Sequence, residues 1–289
     1  MSRDPKNSHR TGRAPLIAVA VAGALLVAGC SSGSTHTSSS PSSPNPSESP
    51  TSSTSITPSS APALHVVGIG DSYMSAQDSH GHTFMDVFAT GLESSTGSRV
   101  DLRVLTGNDA TSRKVREQLT KDASYRAAVS QADVIVLSLG GNDTDPFGVF
   151  PKGTCSRVQP EAACLAAYDP ELSRNYEAIL TSIESLRAGK PTAIRVTSMD
   201  NPFVGWSEAP TPAFGRDFFA QVARAETDAI FAVAAKHGAK SVDFLRVFSG
   251  RDGTHDPAMY LAPDHAHPGD LGITTIADLL SSLGVSASS

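Results

Sequence analysis

Two short segments far apart in the chain carry residue types that could together perform nucleophilic catalysis. The first is GDS at residues 70–72, and the second is DHAH at residues 264–267. A serine hydroxyl is a weak nucleophile at neutral pH unless a positioned base removes its proton and a third group orients that base. Asp264 and His267 are three residues apart, which in a helical turn places both side chains on the same side. Ser72, His267 and Asp264 are therefore the candidate nucleophile, base and orienting acid.

Two further residues meet the second requirement of acyl transfer, a set of hydrogen-bond donors for the oxyanion that develops in the transition state. Gly107 has no Cβ, so its backbone N–H can approach a ligand closely. Asn142 carries a neutral amide donor. Together with the backbone N–H of Ser72, these residues predict an oxyanion hole.

These segments form four blocks that resemble the SGNH-type members of the GDSL hydrolases. The blocks are GDS at 70–72, the glycine at 107, GGND at 140–143 and DHAH at 264–267. The resemblance implies a serine carboxylic-ester hydrolase in which Ser72 attacks, His267 is its base, and Gly107 and Asn142 complete the oxyanion hole. It also implies a flavodoxin-like α/β fold, a three-layer α/β/α sandwich around a mainly parallel five-stranded sheet. This mechanism requires no metal and no organic cofactor.

Two features depart from the family pattern. Tyr73 replaces the leucine that gives the GDSL motif its name, and we expect its side chain to point into packing. The second block, TGNDATS at 106–112, is short, so Gly107 is assigned by its position after a predicted strand. We expect Asp71 and Asp143 to cap helices or hold loops rather than perform chemistry.

The elements that must position these residues alternate between strands and helices. Strands that alternate with helices form parallel βαβ units, so both faces of the sheet are covered. Ligands bind such sheets at the carboxyl ends of the strands, where the first three blocks lie. The predicted strands are LHVVGIG (64–70), RVDLRVL (99–105), DVIVLSLG (133–140), TAIRVTS (192–198) and KSVDFL (240–245), and the predicted helices lie near 84–94, 111–131, 172–188, 216–237 and 270–283.

The first 29 residues predict export. Residues 1–13 are basic, residues 14–29 are small or apolar, and Cys30 follows directly. This order is typical of a signal peptide, and the apolar part is shorter than the ~20 residues that a membrane-spanning helix needs. The stretch ending at Cys30 resembles a bacterial lipobox, which implies a lipoprotein signal peptide over 1–29 and lipidation of Cys30. An ordinary secretory signal is the alternative.

The remaining chain divides by composition into a linker and one domain. Residues 30–63 consist mostly of Ser, Thr and Pro, which predicts a disordered linker behind the lipid-anchored Cys30. Residues 64–289 predict a single hydrolase domain held outside the cytoplasm, on the cell membrane or secreted. The formal net charge of −6 and the scattered basic residues indicate no nucleic-acid partner. We expect a monomer whose substrate is a small-molecule, lipid or carbohydrate ester.

Five other residues are candidates for structural or substrate-binding roles. Cys155 and Cys164 form a pair in an exported protein, which predicts a disulfide, with two free or metal-binding thiols as the alternative. Phe147 belongs to an insertion over 146–170 that we expect to form a rim above the active site. Phe203 and Trp206 follow the fourth strand and could line an acyl or alcohol pocket, although core packing explains them equally well.

Two other functions fit the same residues. A metal-dependent phosphoesterase is the first alternative, because the GDS, GGND and DHAH blocks also contain oxygen and nitrogen ligands. The second is a non-catalytic module that binds the cell envelope and retains the fold without turnover. Chelator sensitivity would favour the first alternative, and covalent labelling by an organophosphonate would exclude the second.

Overall fold

The computed structural model describes residues 62–144, 161–205 and 216–285, with side chains described for 62–143, 170–205 and 219–285. The leader, nearly all of the linker and most of the 146–170 insertion lie outside these ranges. So do Cys30, Phe147, Cys155, Trp206 and the side chain of Cys164. The lipidation, the disulfide and two of the three pocket candidates therefore stay predictions.

Five strands form one sheet in which every neighbouring pair is parallel. The strand order is β2-β1-β3-β4-β5, so the chain crosses over after β2 and places β1 and β3 near the centre. Every residue of β3 and of β4 is buried, as expected for strands covered on both faces. The strands are β1 Leu64–Gly70, β2 Val100–Thr106, β3 Val134–Ser138, β4 Ala193–Thr197 and β5 Lys240–Val242.

Helices cover both faces of this sheet, which confirms the predicted three-layer α/β/α sandwich. One apolar cluster packs α3, α4, α6 and α7 on one face, and a second packs α2, α8 and α9 on the other. Within the described residues, no helix combines the length and the apolar character that crossing a membrane requires. The helices are α1 Ser72–Ser75, α2 Phe84–Thr96, α3 Ser112–Lys121, α4 Ala123–Gln131, α5 Gly141–Thr144, α6 Glu161–Arg187, α7 Arg216–Lys236, α8 Phe244–Ser249 and α9 Asp270–Ser282.

Two element boundaries differ from the sequence prediction because an aspartate caps a new helix. The single helix predicted over 111–131 is two helices, since the carboxylate of Asp122 accepts from the N–H groups of Ser124 and Tyr125 and starts α4. The strand predicted over 240–245 ends at Val242, because Asp243 accepts from the N–H of Arg246 and starts α8. Each capping bond stabilises the start of a helix. The pattern of apolar residues in the sequence does not indicate where these two helices begin.

Arg195 is a charged residue within the otherwise uncharged buried strands β3 and β4. Its side chain is fully buried in β4. The guanidinium donates to the carbonyl oxygens of Ile194 (3.0 Å) and Gly284 (2.8 Å), the second of which follows the end of α9. Donation to backbone carbonyls offsets part of the desolvation cost of the charge. Arg195 therefore fixes the end of α9 against the sheet.

Candidate active site

The nucleophile turn begins where β1 ends, and glycine is required there by close packing. A Cβ on Gly70 would lie 2.9 Å from the carbonyl oxygen of Ser138 and 2.8 Å from the Cβ of Met74. Only a residue without a Cβ allows the end of β1 to lie this close to β3 and α1. Asp71 then caps α1 by accepting from the N–H of Tyr73 at 3.0 Å. Ser72 is consequently the first residue of α1, at the carboxyl edge of the sheet.

Ser72, His267 and Asp264 form one continuous hydrogen-bonded chain. The Nε2 atom of His267 lies 3.0 Å from Ser72 Oγ, and its Nδ1 atom lies 2.7 Å from Asp264 Oδ2. Both distances are within the reach that proton transfer requires. The fold thus brings together, across 195 positions of sequence, the three residues that the spacing predicted.

The DHAH block is a tight turn before α9 rather than part of a helix, so the predicted helical turn is wrong while the predicted proximity holds. The turn is closed by the bridge between Leu261 and Pro268, and His265 within it has a left-handed backbone with φ of 56°. The other oxygen of Asp264 accepts from the N–H groups of Ala266 and His267, each at 3.0 Å.

The Asp264 carboxylate is held in its ionised form. Partial burial alone would raise its pKa, but the donors in the turn outweigh burial. Hydrogen bonds from the N–H of Ala266 and from the ring of His267 lower the pKa of Asp264 below its ordinary value. An ionised acceptor at this position fixes the orientation of the imidazole.

Asn142 lies against the second block. Its Nδ2 donates to the carbonyl oxygens of Asn108 (3.2 Å) and Ala110 (3.0 Å). The N–H of Gly107 makes a long hydrogen bond of 3.4 Å to the carbonyl oxygen of Gly70. Asn142 and Gly107 therefore lie on the same edge as Ser72, but a substrate oxyanion must compete with backbone carbonyls for these donors.

The GDSL-like lipase/acylhydrolase family model matches residues 69–273, a range that begins one residue before the first block and includes the fourth. The chain belongs to this family. The match covers all four blocks, so the resemblance seen in the sequence is confirmed. A search of curated proteins found no match.

Solved structures show the same fold at low sequence identity. A lipase from a goat rumen metagenome has a TM-score of 0.63 at 19% identity, covering 78% of this chain and 99% of the lipase. An extracellular lipase from Streptomyces rimosus has a TM-score of 0.52 at 20% identity, covering 75% and 99%. A phospholipase A1 from Streptomyces albidoflavus has a TM-score of 0.53 at 17% identity, covering 76% and 99%. At these identities the similarity establishes the fold of this GDSL-family chain.

The third block of this GDSL-family chain requires its first glycine. Gly140 has φ of +145°, and a Cβ there would lie 1.7 Å from Oε1 of Glu226, which is buried on α7. The backbone conformation therefore strains any residue with a Cβ, and such a residue would also force the Glu226 carboxylate to move. Sequence reasoning identified the block but missed Glu226, which no motif marks.

Asp143 joins the third block to α3 and α6, as predicted for a residue that holds a loop. Its carboxylate accepts from the N–H of Ser112 at 2.8 Å and from the Ser112 hydroxyl at 2.5 Å. Asn175 on α6 donates to the same hydroxyl at 2.9 Å. Burial raises the pKa of Asp143 to about 6, although the Ser112 donors oppose this rise.

Two buried acids lie close to the nucleophile turn. Tyr73 is 4% exposed and stacks on Phe244, so its side chain points into packing as predicted. Asp200, in the loop after β4, is 7% exposed, and its charge adds to the rise that burial causes in the pKa of the Tyr73 phenol. Burial raises the pKa of Asp71 and the pKa of Asp200 to about 7 each. The nearby carboxyl of Asp143 raises the pKa of Asp71 further, whereas the ring of His267 lowers it. Sequence reasoning missed Asp200, although an acid shortly after a predicted strand is the signal that could have identified it.

Phe203 is the pocket candidate whose position the structure describes. Its side chain is 6% exposed and packs on Phe219 of α7 with ring centroids 4.2 Å apart. This position agrees with core packing, the alternative that the sequence left open.

Proposed function

We propose that this GDSL-family chain is a serine esterase that forms an acyl-enzyme on Ser72. The observation that supports the proposal is the hydrogen-bonded chain from Ser72 through His267 to Asp264. The hydroxyl of Ser72 is hydrogen-bonded to His267, and His267 is hydrogen-bonded in turn to Asp264, which is the arrangement of an activated nucleophile. Ligands of a metal instead converge on a shared point, and within the described residues no group of three His, Cys, Asp or Glu side chains does so.

In the first half of the reaction, Ser72 Oγ attacks the carbonyl carbon of the ester while His267 Nε2 takes the serine proton. The tetrahedral intermediate then collapses, its bond to the alcohol oxygen breaks, and the alcohol leaves with the proton from His267. In the second half, water attacks the acyl carbon and gives its proton to His267. The acid is released when Ser72 Oγ takes that proton back, so the enzyme is regenerated.

Two carboxyl groups stabilise the imidazolium that His267 forms in each half of the reaction. Asp264 bonds directly to Nδ1 of His267 and thereby selects the tautomer whose Nε2 can accept the serine proton. Asp71 also interacts electrostatically with the charge of His267. Since the pKa of Asp71 is about 7, its attraction for the imidazolium increases as pH rises through neutrality.

The oxyanion would accept hydrogen bonds from the N–H groups of Ser72 and Gly107 and from Nδ2 of Asn142. Asn142 must exchange one carbonyl partner for the substrate oxygen, a rearrangement that costs little because the oxyanion is the stronger acceptor. Catalytic hydrogen bonds of this kind often tighten only when substrate binds.

The proposed location is outside the cytoplasm, with a lipid on Cys30 holding a monomeric domain to the membrane. The basic and apolar leader and the lipobox-like residues before Cys30 support this location. The linker of residues 30–63 would give the domain reach, because Pro-rich chains extend up to ~3.1 Å per residue. Mass spectrometry of the mature N-terminus tests the lipidation, and an unmodified Cys30 would contradict it.

The test of the esterase is hydrolysis of a short-chain aryl ester by the full chain and by Ser72→Ala. Ser75→Ala is the matched control, because Ser75 lies on the same short helix α1. We expect activity to fall by orders of magnitude in Ser72→Ala, to persist in Ser75→Ala and to be insensitive to chelators. An organophosphonate should add its phosphonyl group to Ser72. Full activity in Ser72→Ala, or a folded chain that neither hydrolyses the ester nor reacts with the organophosphonate, would overturn the proposal.

A further inference from the structure

A cavity of about 230 Å³ lies beside the edge strand β5, apart from the catalytic residues. Its walls come from α7, from the residue that follows β5, from α8 and from the turn after α8. Because Asp243 directly follows β5, the cavity opens at the same carboxyl edge of the sheet as Ser72. The polar residues of the wall are Arg224, Thr227, Asp228, Asp243, Arg246 and Arg251.

Three of these residues are arginines and two are aspartates, so the wall carries a net positive charge. Among the described side chains, none of the three guanidinium groups forms an ion pair. Arg224 instead donates to the backbone carbonyl of Asp252, which holds its guanidinium in place. Cations gathered around one concavity repel one another and favour an anion between them. A planar guanidinium can donate two parallel hydrogen bonds to the oxygens of a phosphate or carboxylate, so arginine is well suited to bind such an anion.

Thr227 is an independent sign of a binding site. The residue is 5% exposed and lines the cavity, and its hydroxyl has no hydrogen-bond partner among the described atoms. Buried hydroxyl groups nearly always have a partner, because an unpaired one retains its desolvation cost. The hydroxyl oxygen itself is buried, so a polar ligand in the cavity would supply that partner once the side chain rotates to turn the hydroxyl toward it.

The two aspartates of the wall restrict the kind of ligand. Asp243 already accepts from the N–H of Arg246 at 3.0 Å, and Asp228 is exposed on α7. Carboxylates repel a bare anion but accept hydrogen bonds from hydroxyl groups. The wall therefore matches a ligand that combines an anionic group with hydroxyls. At ~30 Å³ per water molecule a cavity of about 230 Å³ corresponds to about eight waters, which fits a small ligand better than a lipid with its acyl chains.

We infer that this cavity binds the phosphate monoester of a small polyol. Arg224, Arg246 and Arg251 hold the phosphate oxygens, and Asp228 and Asp243 accept from the hydroxyls. The inference does not depend on the esterase proposal, because the cavity residues are separate from Ser72, His267 and Asp264.

The test is calorimetric titration of the full chain with glycerol 3-phosphate at constant ionic strength. Inorganic phosphate, glycerol and the diester sn-glycero-3-phosphocholine are the comparison ligands. We expect one saturable site for glycerol 3-phosphate, with weaker binding of phosphate and of the diester and none of glycerol. A diester that binds more tightly than glycerol 3-phosphate would overturn the monoester assignment, and absence of saturable binding would overturn the site.

Variants locate the binding within the molecule. Arg246→Gln combined with Arg251→Gln should weaken binding of glycerol 3-phosphate at least tenfold, whereas Arg103→Gln, an exposed arginine on β2, should bind as the wild type does. Thr227→Val removes the hydroxyl at nearly constant volume and should weaken binding severalfold. Asp228→Asn should reduce the preference for glycerol 3-phosphate over phosphate. Unchanged binding in the double arginine variant, with an unchanged melting temperature, would place the ligand elsewhere and overturn the inference.

Discussion

Asp264 accepts three hydrogen bonds from its own turn, two from backbone N–H groups and one from His267. The backbone donors hold the carboxylate in place, so the ring of His267 has one preferred orientation and one preferred tautomer. This position depends on a turn of four residues and not on burial, since the Asp264 side chain is about half exposed.

We predict that Asp264→Asn lowers the turnover number by ~10³ to 10⁴, because the amide favours the wrong imidazole tautomer. The measurement is the turnover number for an aryl ester at saturating substrate. Asp270→Asn is the control, because Asp270 lies at the start of α9 and bonds to Ser79 instead. A turnover number within tenfold of wild type would show that Asp264 does not orient His267.

Asn142 makes structural contacts besides its proposed role in the oxyanion hole, and these contacts change the expected effect of its replacement. A pure transition-state donor could be removed without loss of stability, but Nδ2 of Asn142 also holds the carbonyls of Asn108 and Ala110. We predict that Asn142→Ala lowers turnover by ~10² to 10³ and lowers the free energy of unfolding by about 1–2 kcal/mol. Turnover and urea unfolding measured on one preparation separate the two effects. Wild-type turnover would rule out the oxyanion role, and wild-type stability would rule out the loop contact.

At the scale of elements, the third block is held by side-chain hydrogen bonds to two helices. Asp143 bonds to Ser112 at the start of α3, and Ser112 bonds to Asn175 on α6. Arg116 continues the network by donating to Asn175 at 2.9 Å. Since Asn142 directly precedes Asp143, this network also helps to fix the position of the proposed oxyanion donor.

We predict that Ser112→Ala lowers the free energy of unfolding by about 1–3 kcal/mol, because Asn175 and Asp143 lose a buried partner. The measurement is equilibrium unfolding in urea. Ser94→Ala is the matched control, because the hydroxyl of Ser94 bonds to a carbonyl of its own helix on the exposed side of α2. Equal stability of the two variants would mean that the network contributes nothing to folding.

At the scale of the whole molecule, burial of several carboxyl groups at one edge of the sheet makes stability depend on pH. The pKa of Asp71 and of Asp200 is about 7 in the folded protein, against an ordinary value of 3.8. Between these values the folded protein retains protons that the unfolded chain releases. The stability contributed by these groups is thus complete below pH ~4 and is lost as pH rises to about 7.

We predict that Asp200→Asn reduces the loss of stability between pH 4 and pH 7, because the amide does not ionise. The measurement is the free energy of unfolding across this range for the wild type and the variant. Asp278→Asn on the exposed side of α9 is the control and should follow the wild-type curve. Parallel curves for wild type and Asp200→Asn would show that Asp200 does not titrate in this window.

The sequence by itself determined the central strands and the family, and it identified the three residues that the fold brings together as Ser72, His267 and Asp264. These features have local signatures: β-branched runs that end in GDS and GGND, and an acid three residues before a histidine. The partnership of Ser72 with His267 followed from residue chemistry once the blocks were recognised, and only the exact turn around Asp264 differed.

Tertiary structure alone decided which residues surround these blocks. Three features join segments without a shared spacing or motif: the electrostatic effect of Asp200 on Tyr73, the position of Glu226 against Gly140, and the gathering of three arginines beside β5. The separate helix α4 begins after Asp122 because the carboxylate of Asp122 caps it, and the apolar periodicity of the sequence does not reveal this bond. Such contacts form only when helices and strands from distant parts of the chain pack together. The burial of a side chain and the charges around it therefore depend on the assembled edge of the sheet, and no single segment determines them.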